Sequence, residues 1–308
     1  VYPTLQRRDF SSVYRLSVLL KEDIDPEILQ RAVNLTMPRF PTYKAAIRKG
    51  VFWRYLEPND RPGPFVQEDV KNPCQPMHFK GNNRYLVRIY YYRNRIALEA
   101  HHSLGDGTGG MCVLQTLTAT YLRLKGHSEI ENGGFVLDIL GIPDPGELED
   151  AYMKYANAKV CPPRPGEKTY RVRGTKEPFY TLNIIDGIMS VSEVMRVAKS
   201  YNATITEYLN SVLLYALMQK QESEWHWKLR PVKIAMPVNL RRFFPSRTLR
   251  NFITMIYPGI DPRLGEYTFE EIVTQVHNYM RYYLNEKLLR GDITTNAETQ
   301  RNPFIRIV

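Results

Sequence analysis

Residues 99–110 of this 308-residue chain read Glu-Ala-His-His-Ser-Leu-Gly-Asp-Gly-Thr-Gly-Gly. Apolar and polar side chains alternate through 95–100, which predicts a strand leading into this stretch. Apolar residues then recur at helical spacing from Met111 to Leu124, which predicts a helix leaving it. Two histidines and an aspartate therefore fall in a glycine-rich loop at the end of a strand, a position where functional residues are often found.

The composition describes a globular protein. Apolar residues make up 43% of the chain and aromatic residues 12%, which is enough to build a large core. A chain of this length favours two domains or one two-lobed unit. We find no apolar run long enough to cross a membrane and no signal peptide in the first residues, and therefore predict a cytoplasmic protein without a membrane span.

The cysteines and the charge narrow the possible partners. Cys74, Cys112 and Cys161 are too few and too widely spaced for a disulfide framework or a zinc motif, so we expect reduced thiols. The formal charge of +10 suits an anionic partner such as a phosphate-rich substrate. Because the basic residues are scattered and accompany no nucleic-acid-binding motif, we predict that nucleic acid is not the partner.

The first half of the chain mixes strands and helices. Alternation predicts a strand over 14–20, and Asp25-Pro26 is a helix start with an N-cap and a proline at the first position. The prolines and glycines of 57–83 predict a long loop. The segments 85–92 and 95–100 predict an antiparallel hairpin that carries the histidines.

The second half repeats this mixture after a segment, 125–170, that is rich in proline and glycine. We place the division there, with a first lobe over 1–150 and a second lobe over 151–308. Patterning in the second lobe predicts strands and helices, two of the helices beginning at capping boxes. The strands are expected over 179–185, 232–238 and 252–257, and the helices over 191–201, from 205 with Leu209, Val212, Leu213, Ala216 and Leu217 facing inward, and over 268–290.

The glycines of 105–110 match the dinucleotide-binding pattern G-x-G-x-x-G, with Glu129 or Glu131 about twenty residues on. The match departs from that fingerprint in two ways. The glycines do not follow the strand directly, and the strand belongs to a hairpin rather than to a parallel unit. We therefore interpret these glycines as residues that allow the tight turn presenting the histidines.

Two further chemistries have weak support. His101, His102, Asp106 and Cys112 could be metal ligands, but adjacent histidines on a strand point to opposite faces and no third histidine has a familiar ligand spacing. Ser103 could be a nucleophile, but it does not lie in a G-x-S-x-G elbow. We therefore disfavour both a metal centre and a hydrolase triad.

The remaining chemistry is general base catalysis by one histidine. An imidazole with a pKa of about 6.5 is largely neutral at pH 7 and can accept a proton from a hydroxyl, an amine or a thiol. His102 is our candidate base, because alternation sends only one of the two histidines toward a given cavity. Asp106 would hold the loop, or simply cap the helix that begins near Thr108.

The sequence His101 to Gly107 reads HHxxxDG and resembles the active-site motif of the chloramphenicol-acetyltransferase-like superfamily of CoA-dependent acyltransferases. That superfamily includes alcohol acetyltransferases, wax ester synthases and condensation domains of peptide synthetases. Residues 235–241 and Asn251-Phe252 are similar to its second-lobe strand and the segment after it. The Trp-Ser that usually continues the motif in condensation domains and the DFGWG of the plant enzymes are absent, so the chain looks most like bacterial alcohol acetyltransferase-type proteins.

The resemblance implies a two-lobed mixed α/β fold with an active-site tunnel between the lobes. It implies His102 as the catalytic base, His101 as its companion and Gly107 as the residue that closes the motif. It also implies that Asp106 is structural and pairs with an arginine, for which we choose Arg241, with Arg242 in reserve. Because members of the superfamily continue further, we expect the second lobe to be incomplete at its C-terminal end.

The implied activity is transfer of an acyl group, acetyl above all, from acyl-CoA to a small hydroxyl or amine acceptor. Acyl-CoA would be a co-substrate, and no bound cofactor or metal is expected. Hydroxyls and loop amides near residues 107–109 are candidate donors to the oxyanion. Two alternatives remain open: a condensation or ester-forming domain that depends on a carrier protein, and a non-catalytic binding scaffold.

Overall fold

The computed structural model describes residues 11–50, 54–69, 72–78, 80–157, 166–175, 177–178, 181–224 and 228–301. Strands and helices alternate along the chain, so the predicted mixed α/β fold is confirmed. Within this described part, no helix is long and apolar enough to cross a membrane.

The first half contains one four-stranded sheet, one separate hairpin and two long helices. In chain order the elements are β1 (Val13–Leu19), α1 (Pro26–Thr36), β2 (Ala45–Lys49), β3 (Arg54–Pro58), β4 (Val66–Glu68), β5 (Val87–Tyr92), β6 (Arg95–His101) and α2 (Gly107–Leu124). The sheet order is β1-β6-β5-β4, and β6 runs antiparallel to both of its neighbours. The predicted hairpin that carries the histidines is therefore confirmed, and its second strand lies inside the sheet.

Local sequence explains where α1 begins. The side chain of Asp25 accepts hydrogen bonds from the backbone N–H groups of Glu27 and Ile28, and Pro26 occupies the first helical position. One face of α1 and one face of α2 pack on the sheet. They form a single buried cluster around residues such as Leu29, Val33, Ile89, Leu98, Val113 and Leu117. This cluster fixes the end of β6 and the start of α2 relative to each other.

The second half contains short two-stranded sheets and longer helices. Its elements are α3 (Pro145–Leu148), α4 (Ala151–Tyr155), α5 (Val191–Ser200), α6 (Ile205–Ser223), β7 (Val232–Lys233), β8 (Met236–Asn239), β9 (Ile253–Ile256), β10 (Gly259–Ile260), α7 (Phe269–Tyr283) and α8 (Glu286–Arg301). β8 pairs with β9 and β7 with β10, both antiparallel. The predicted capping boxes at Thr204 and Thr268 are both formed.

Two smaller buried clusters lie in this half. One joins α6 and α7 to the short strands, through residues such as Leu214, Val232, Ile256 and Val276. The other joins α4 and α8 to Leu240, Phe244 and Phe252. The division into lobes at residue 150 stays a prediction.

Several local predictions were wrong. The loop expected over 57–83 contains β4, which pairs with β5 in parallel, and the β2–β3 hairpin was not predicted. The helix expected over 268–290 is interrupted after Tyr283, and α8 follows it.

The strand expected over 179–185 is absent from 181–185, and residues 179 and 180 lie outside the described residues. The physical reason is visible at Leu182. Its backbone N–H and carbonyl bond to the side chain of Asn72, at 2.7 and 3.3 Å, rather than to a neighbouring strand. An extended segment without a partner strand leaves its backbone groups to side chains or water.

The buried face of α6 also differs from the prediction. Leu209, Val212 and Leu213 are 40–49% exposed, and Ala216 is exposed as well, whereas Leu217 is half-buried. The helix buries its other side instead, formed by Glu207, Ser211, Leu214, Met218 and Gln221. Because α6 carries apolar residues on more than one side, periodicity alone could not identify the side that packs against α7.

Candidate active site

His101 is the last residue of β6 and lies in the interior. Its side chain is fully buried, and its backbone N–H donates to the carbonyl of Leu86 at 3.0 Å. Its Nδ1 accepts the backbone N–H of Ser103 at 3.2 Å and lies 2.9 Å from the Ser103 hydroxyl. A nitrogen that accepts from a backbone N–H carries no proton, so this contact fixes the tautomer. His101 thus shapes the turn that follows the strand.

His102 is half-buried at the start of the loop. Its backbone N–H donates to the carbonyl of Ser12 at 2.8 Å, and its ring centroid lies 4.7 Å from that of Tyr14. Burial lowers the pKa of the imidazole below its usual value, while the Asn251 side chain and the charge of Asp106 act in the opposite direction. The net direction is downward, so His102 is neutral at neutral pH and available as a base.

Asp106 is 2% exposed, and its carboxylate is fully occupied. Oδ1 accepts the backbone N–H groups of Thr108 and Gly109, at 3.1 and 3.3 Å, as a helix cap does. Oδ2 accepts Nη1 of Arg241 at 2.8 Å and the backbone N–H of Phe252 at 2.9 Å. The residue is therefore both the cap of α2 and the partner of an arginine, and these contacts direct its carboxylate toward the second half of the chain.

Arg241 occupies the position that the resemblance implied, and Arg242 is exposed. Besides Asp106, its guanidinium binds backbone carbonyls of the segment that leads to β9. Nε and Nη2 donate to the carbonyl of Thr248 at 3.0 and 2.9 Å, and Nη2 also donates to that of Arg250 at 2.6 Å. The side chain is 11% exposed. One ion pair thus connects the histidine loop, α2 and the chain before β9.

The glycines of the motif do not form the turn in the way that we predicted. Among the described glycines, the positive φ angles that favour glycine occur outside the motif, at Gly126, Gly133, Gly134 and Gly265. A Cβ atom on Gly109 would lie 2.1 Å from the carbonyl oxygen of Leu249 and 2.5 Å from the hydroxyl of Tyr43. Gly105 has the same two neighbours, each at 2.5 Å. These two glycines permit a close approach between chain segments, which sequence spacing could not reveal.

The three disfavoured chemistries find no support in the described residues. β6 lies between two antiparallel neighbours, which is not the parallel unit of a dinucleotide site. No group of three potential metal ligands was found in the described part of the chain, and Cys112 donates to the carbonyl of Phe135. Ser103 contacts His101, but that ring is fully buried, so the pair stabilises the turn.

Three residues beside the motif had no role assigned from sequence. Tyr14 on β1 donates its hydroxyl to the backbone carbonyl of Asp106 at 3.1 Å. Asn239, at the end of β8, donates to the Thr108 hydroxyl at 3.4 Å. Asn251 donates its side-chain amide to the carbonyl of His102 at 2.7 Å. Asn239 and Asn251 lie in the segments that resemble the superfamily, but this does not show which side chains point inward, and Tyr14 is far from both motifs in the sequence.

Neither a protein-family model nor a curated protein matches this sequence. Solved structures do match its fold. Polyketide synthase associated protein 5 from Mycobacterium tuberculosis superposes with a TM-score of 0.62 at 14% identity, over 91% of this chain and 71% of that one. F. sporotrichioides TRI101, solved with coenzyme A and T-2, gives 0.58 at 10% identity, over 97% and 76%.

The first condensation domain of the calcium-dependent antibiotic synthetase, solved with a substrate analogue, also matches. Its TM-score is 0.54 at 15% identity, over 96% of this chain and 73% of that one. This chain has the CoA-dependent acyltransferase fold. The fold that the HHxxxDG motif implied is thereby confirmed. Because the identities are low, the likeness establishes architecture and leaves the reaction to be argued from the site.

Proposed function

We propose that this chain transfers an acyl group from acyl-CoA to a hydroxyl acceptor, with His102 as the general base. The observation that carries the proposal is the half-buried His102, whose imidazole is kept neutral by burial at the end of β6. The nearby carboxylate of Asp106 is occupied by Arg241 and by backbone donors. An unprotonated imidazole whose neighbouring acid is already bound can accept a proton from a substrate.

A single base is sufficient for both proton transfers of this reaction. His102 accepts the hydroxyl proton as the acceptor oxygen forms a bond to the thioester carbonyl carbon. The tetrahedral intermediate then collapses as the carbon–sulfur bond breaks, and His102 returns the proton to the thiolate. The products are an ester and free CoA thiol, and the histidine ends neutral.

The oxyanion needs donors, and the structure narrows the candidates among residues 107–109. The backbone N–H groups of Thr108 and Gly109 already donate to Asp106, so they are not available. The hydroxyl of Thr108 is a candidate within this range, and the side-chain amide of Asn239 lies 3.4 Å from it. Both side chains are half-buried. We propose that one of them donates to the oxyanion.

Acetyl-CoA is the first donor to test, and the formal charge of +10 favours a substrate that carries phosphates. The tunnel between lobes, the alcohol acceptor and the cytoplasmic location stay predictions from the sequence. The proposal is consistent with TRI101, which was solved with coenzyme A.

The test is thiol release from acetyl-CoA and longer acyl-CoAs over a panel of alcohols, amines and sugars. Wild type should release thiol with at least one pair, and His102→Ala should lose about 10²–10⁴-fold in rate. His127→Ala is the matched control, because its half-exposed ring lies at the surface, 3.3 Å from the Glu129 carboxylate. Equal rates in wild type and His102→Ala would refute the assignment of the base.

A second candidate is a condensation or ester-forming domain that takes its acyl group from a carrier protein. The match to a condensation domain favours including it. The same panel with a phosphopantetheinyl-loaded carrier as donor separates the two. If only the loaded carrier supports turnover, the donor is the carrier and not acyl-CoA. Binding without turnover with either donor would favour a non-catalytic scaffold.

A further inference from the structure

The segment that contains Asn251 is held on both sides by the buried ion pair. On one side, Nη2 of Arg241 donates to the carbonyl of Arg250 at 2.6 Å. On the other, the backbone N–H of Phe252 donates to Oδ2 of Asp106 at 2.9 Å. The backbone flanking Asn251 is thus fixed by the two charges, each through one peptide group.

The side chain of Asn251 reaches from this fixed backbone to the histidine loop. Its Nδ2 donates to the backbone carbonyl of His102 at 2.7 Å, across 149 positions of sequence. The side chain is half-buried, and Phe252 beside it is fully buried. The contact therefore fixes the residue that carries the imidazole, because the carbonyl lies on the same Cα atom as the side chain.

We propose that Asn251 is a positioning residue for His102, and that through it the Asp106–Arg241 ion pair orients the imidazole. This inference rests on the proposed function for its catalytic part. Asp106 itself directs its carboxylate to Arg241, the start of α2 and Phe252. Asn251 supplies the connection from that pair to His102. Asn251 is neutral, so it can hold the backbone of His102 without placing a charge beside the ring.

The effect of the Asn251 side chain on the pKa of His102 agrees with the contact at the backbone carbonyl. The Asn251 side chain raises this pKa, against the larger lowering effect of burial. Among the described residues, Tyr14 on β1 is in ring contact with His102, and the charge of Asp106 also raises the pKa. Loss of the Asn251 side chain should therefore lower the pKa of His102 further.

The test uses Asn251→Ala and Asn251→Asp, with two independent readouts. The first is the pKa of His102, measured by NMR titration of histidine-labelled protein and assigned with His102→Gln among the six histidines. The second is the thiol-release rate, divided into kcat and KM. Asn59→Ala is the control, since the buried amide of Asn59 also donates to a distant backbone carbonyl, that of Asn83 at 2.9 Å.

The proposal expects a lower His102 pKa in Asn251→Ala and a tenfold or greater fall in kcat with little change in KM. Asn251→Asp should raise the pKa, because it places a carboxylate beside the ring. Asn59→Ala should change neither value. An unchanged His102 pKa in both variants would overturn the positioning role. If no donor gives turnover in wild type but the pKa shifts appear, the proposed reaction fails while the positioning of His102 stands.

Discussion

Nη1 of Arg241 donates to Oδ2 of Asp106 at 2.8 Å, although the two residues are 135 positions apart in the sequence. The pair is almost completely buried, with side-chain exposures of 11% and 2%. A buried ion pair stabilises a fold only when its remaining hydrogen-bonding capacity is satisfied. Here it is satisfied, because backbone groups of α2 and of the chain before β9 complete both partners.

Removal of one partner should therefore be costly. Arg241→Ala leaves a buried carboxylate without its counter-charge, and we expect it to lower the free energy of unfolding by about 3–5 kcal/mol. Urea denaturation measures this value. The control is Arg247→Ala, whose partner Asp144 lies at 3.0 Å on the surface, and which should cost at most about 1 kcal/mol. Equal losses in the two variants would mean that burial of the Asp106–Arg241 pair has no energetic consequence.

Two glycines of the motif, Gly107 and Gly109, should differ in their tolerance of a larger side chain. Gly109→Ala places a Cβ atom 2.1 Å from the backbone oxygen of Leu249, and backbone cannot move aside cheaply. We expect a lower Tm and partial loss of the folded state. Gly107→Ala meets nothing within 4 Å and should keep the Tm of wild type. Thermal unfolding compares the two, and a normal Tm for Gly109→Ala would contradict the close approach.

Features that depend on local chemistry could be predicted from the sequence. The cap at Asp25, the capping boxes at Thr204 and Thr268, and the hairpin before His101 each need only neighbouring residues. Features that depend on distant chain could not. The buried side of α6 is decided by α7, and the need for glycine at position 109 is decided by residues far away in sequence.

The site residues also fall into those that could be predicted from the sequence and those that could not. A resemblance placed His101, His102 and Asp106 in one motif and indicated Arg241, because motif positions can be read without coordinates. The contact of Asn251 with His102 joins residues 149 positions apart and follows from the pairing of β8 with β9, which orients the segment. No pattern within either segment shows that the amide of Asn251 points toward the loop.

Substitutions of the two histidines should affect stability and activity differently. His101 is fully buried and hydrogen-bonded to Ser103, so His101→Ala should lower the Tm and reduce activity through loss of fold. His102→Ala should remove activity with a smaller change in Tm, since its side chain is only half-buried. Thermal unfolding and thiol release on the same preparations test this. A reversed pattern, with His101→Ala folded but inactive, would assign the chemistry to His101.

The lowered pKa of His102 predicts the direction of two pH effects. Because the folded-state pKa lies below the usual value of about 6.5, the acid limb of kcat/KM should have its midpoint below pH 6.5, with the rate rising as the imidazole loses its proton. The unfolded chain binds the proton at higher pH than the folded chain does. Acidification below about pH 6.5 should therefore destabilise the fold through His102, and the loss should level off once the pH falls below the folded-state pKa.

The measurement is a pH–rate profile of kcat/KM together with urea denaturation from pH 5 to pH 8, in wild type and in His102→Gln. The variant cannot be protonated at this position, so the part of the stability change between about pH 6.5 and pH 5 that is due to His102 should disappear. The other histidines are the same in both proteins and cancel in the comparison. An acid limb centred above pH 6.5 would mean that the effects of Asp106 and the Asn251 side chain outweigh burial, and that His102 is more basic in the folded state than in the unfolded chain.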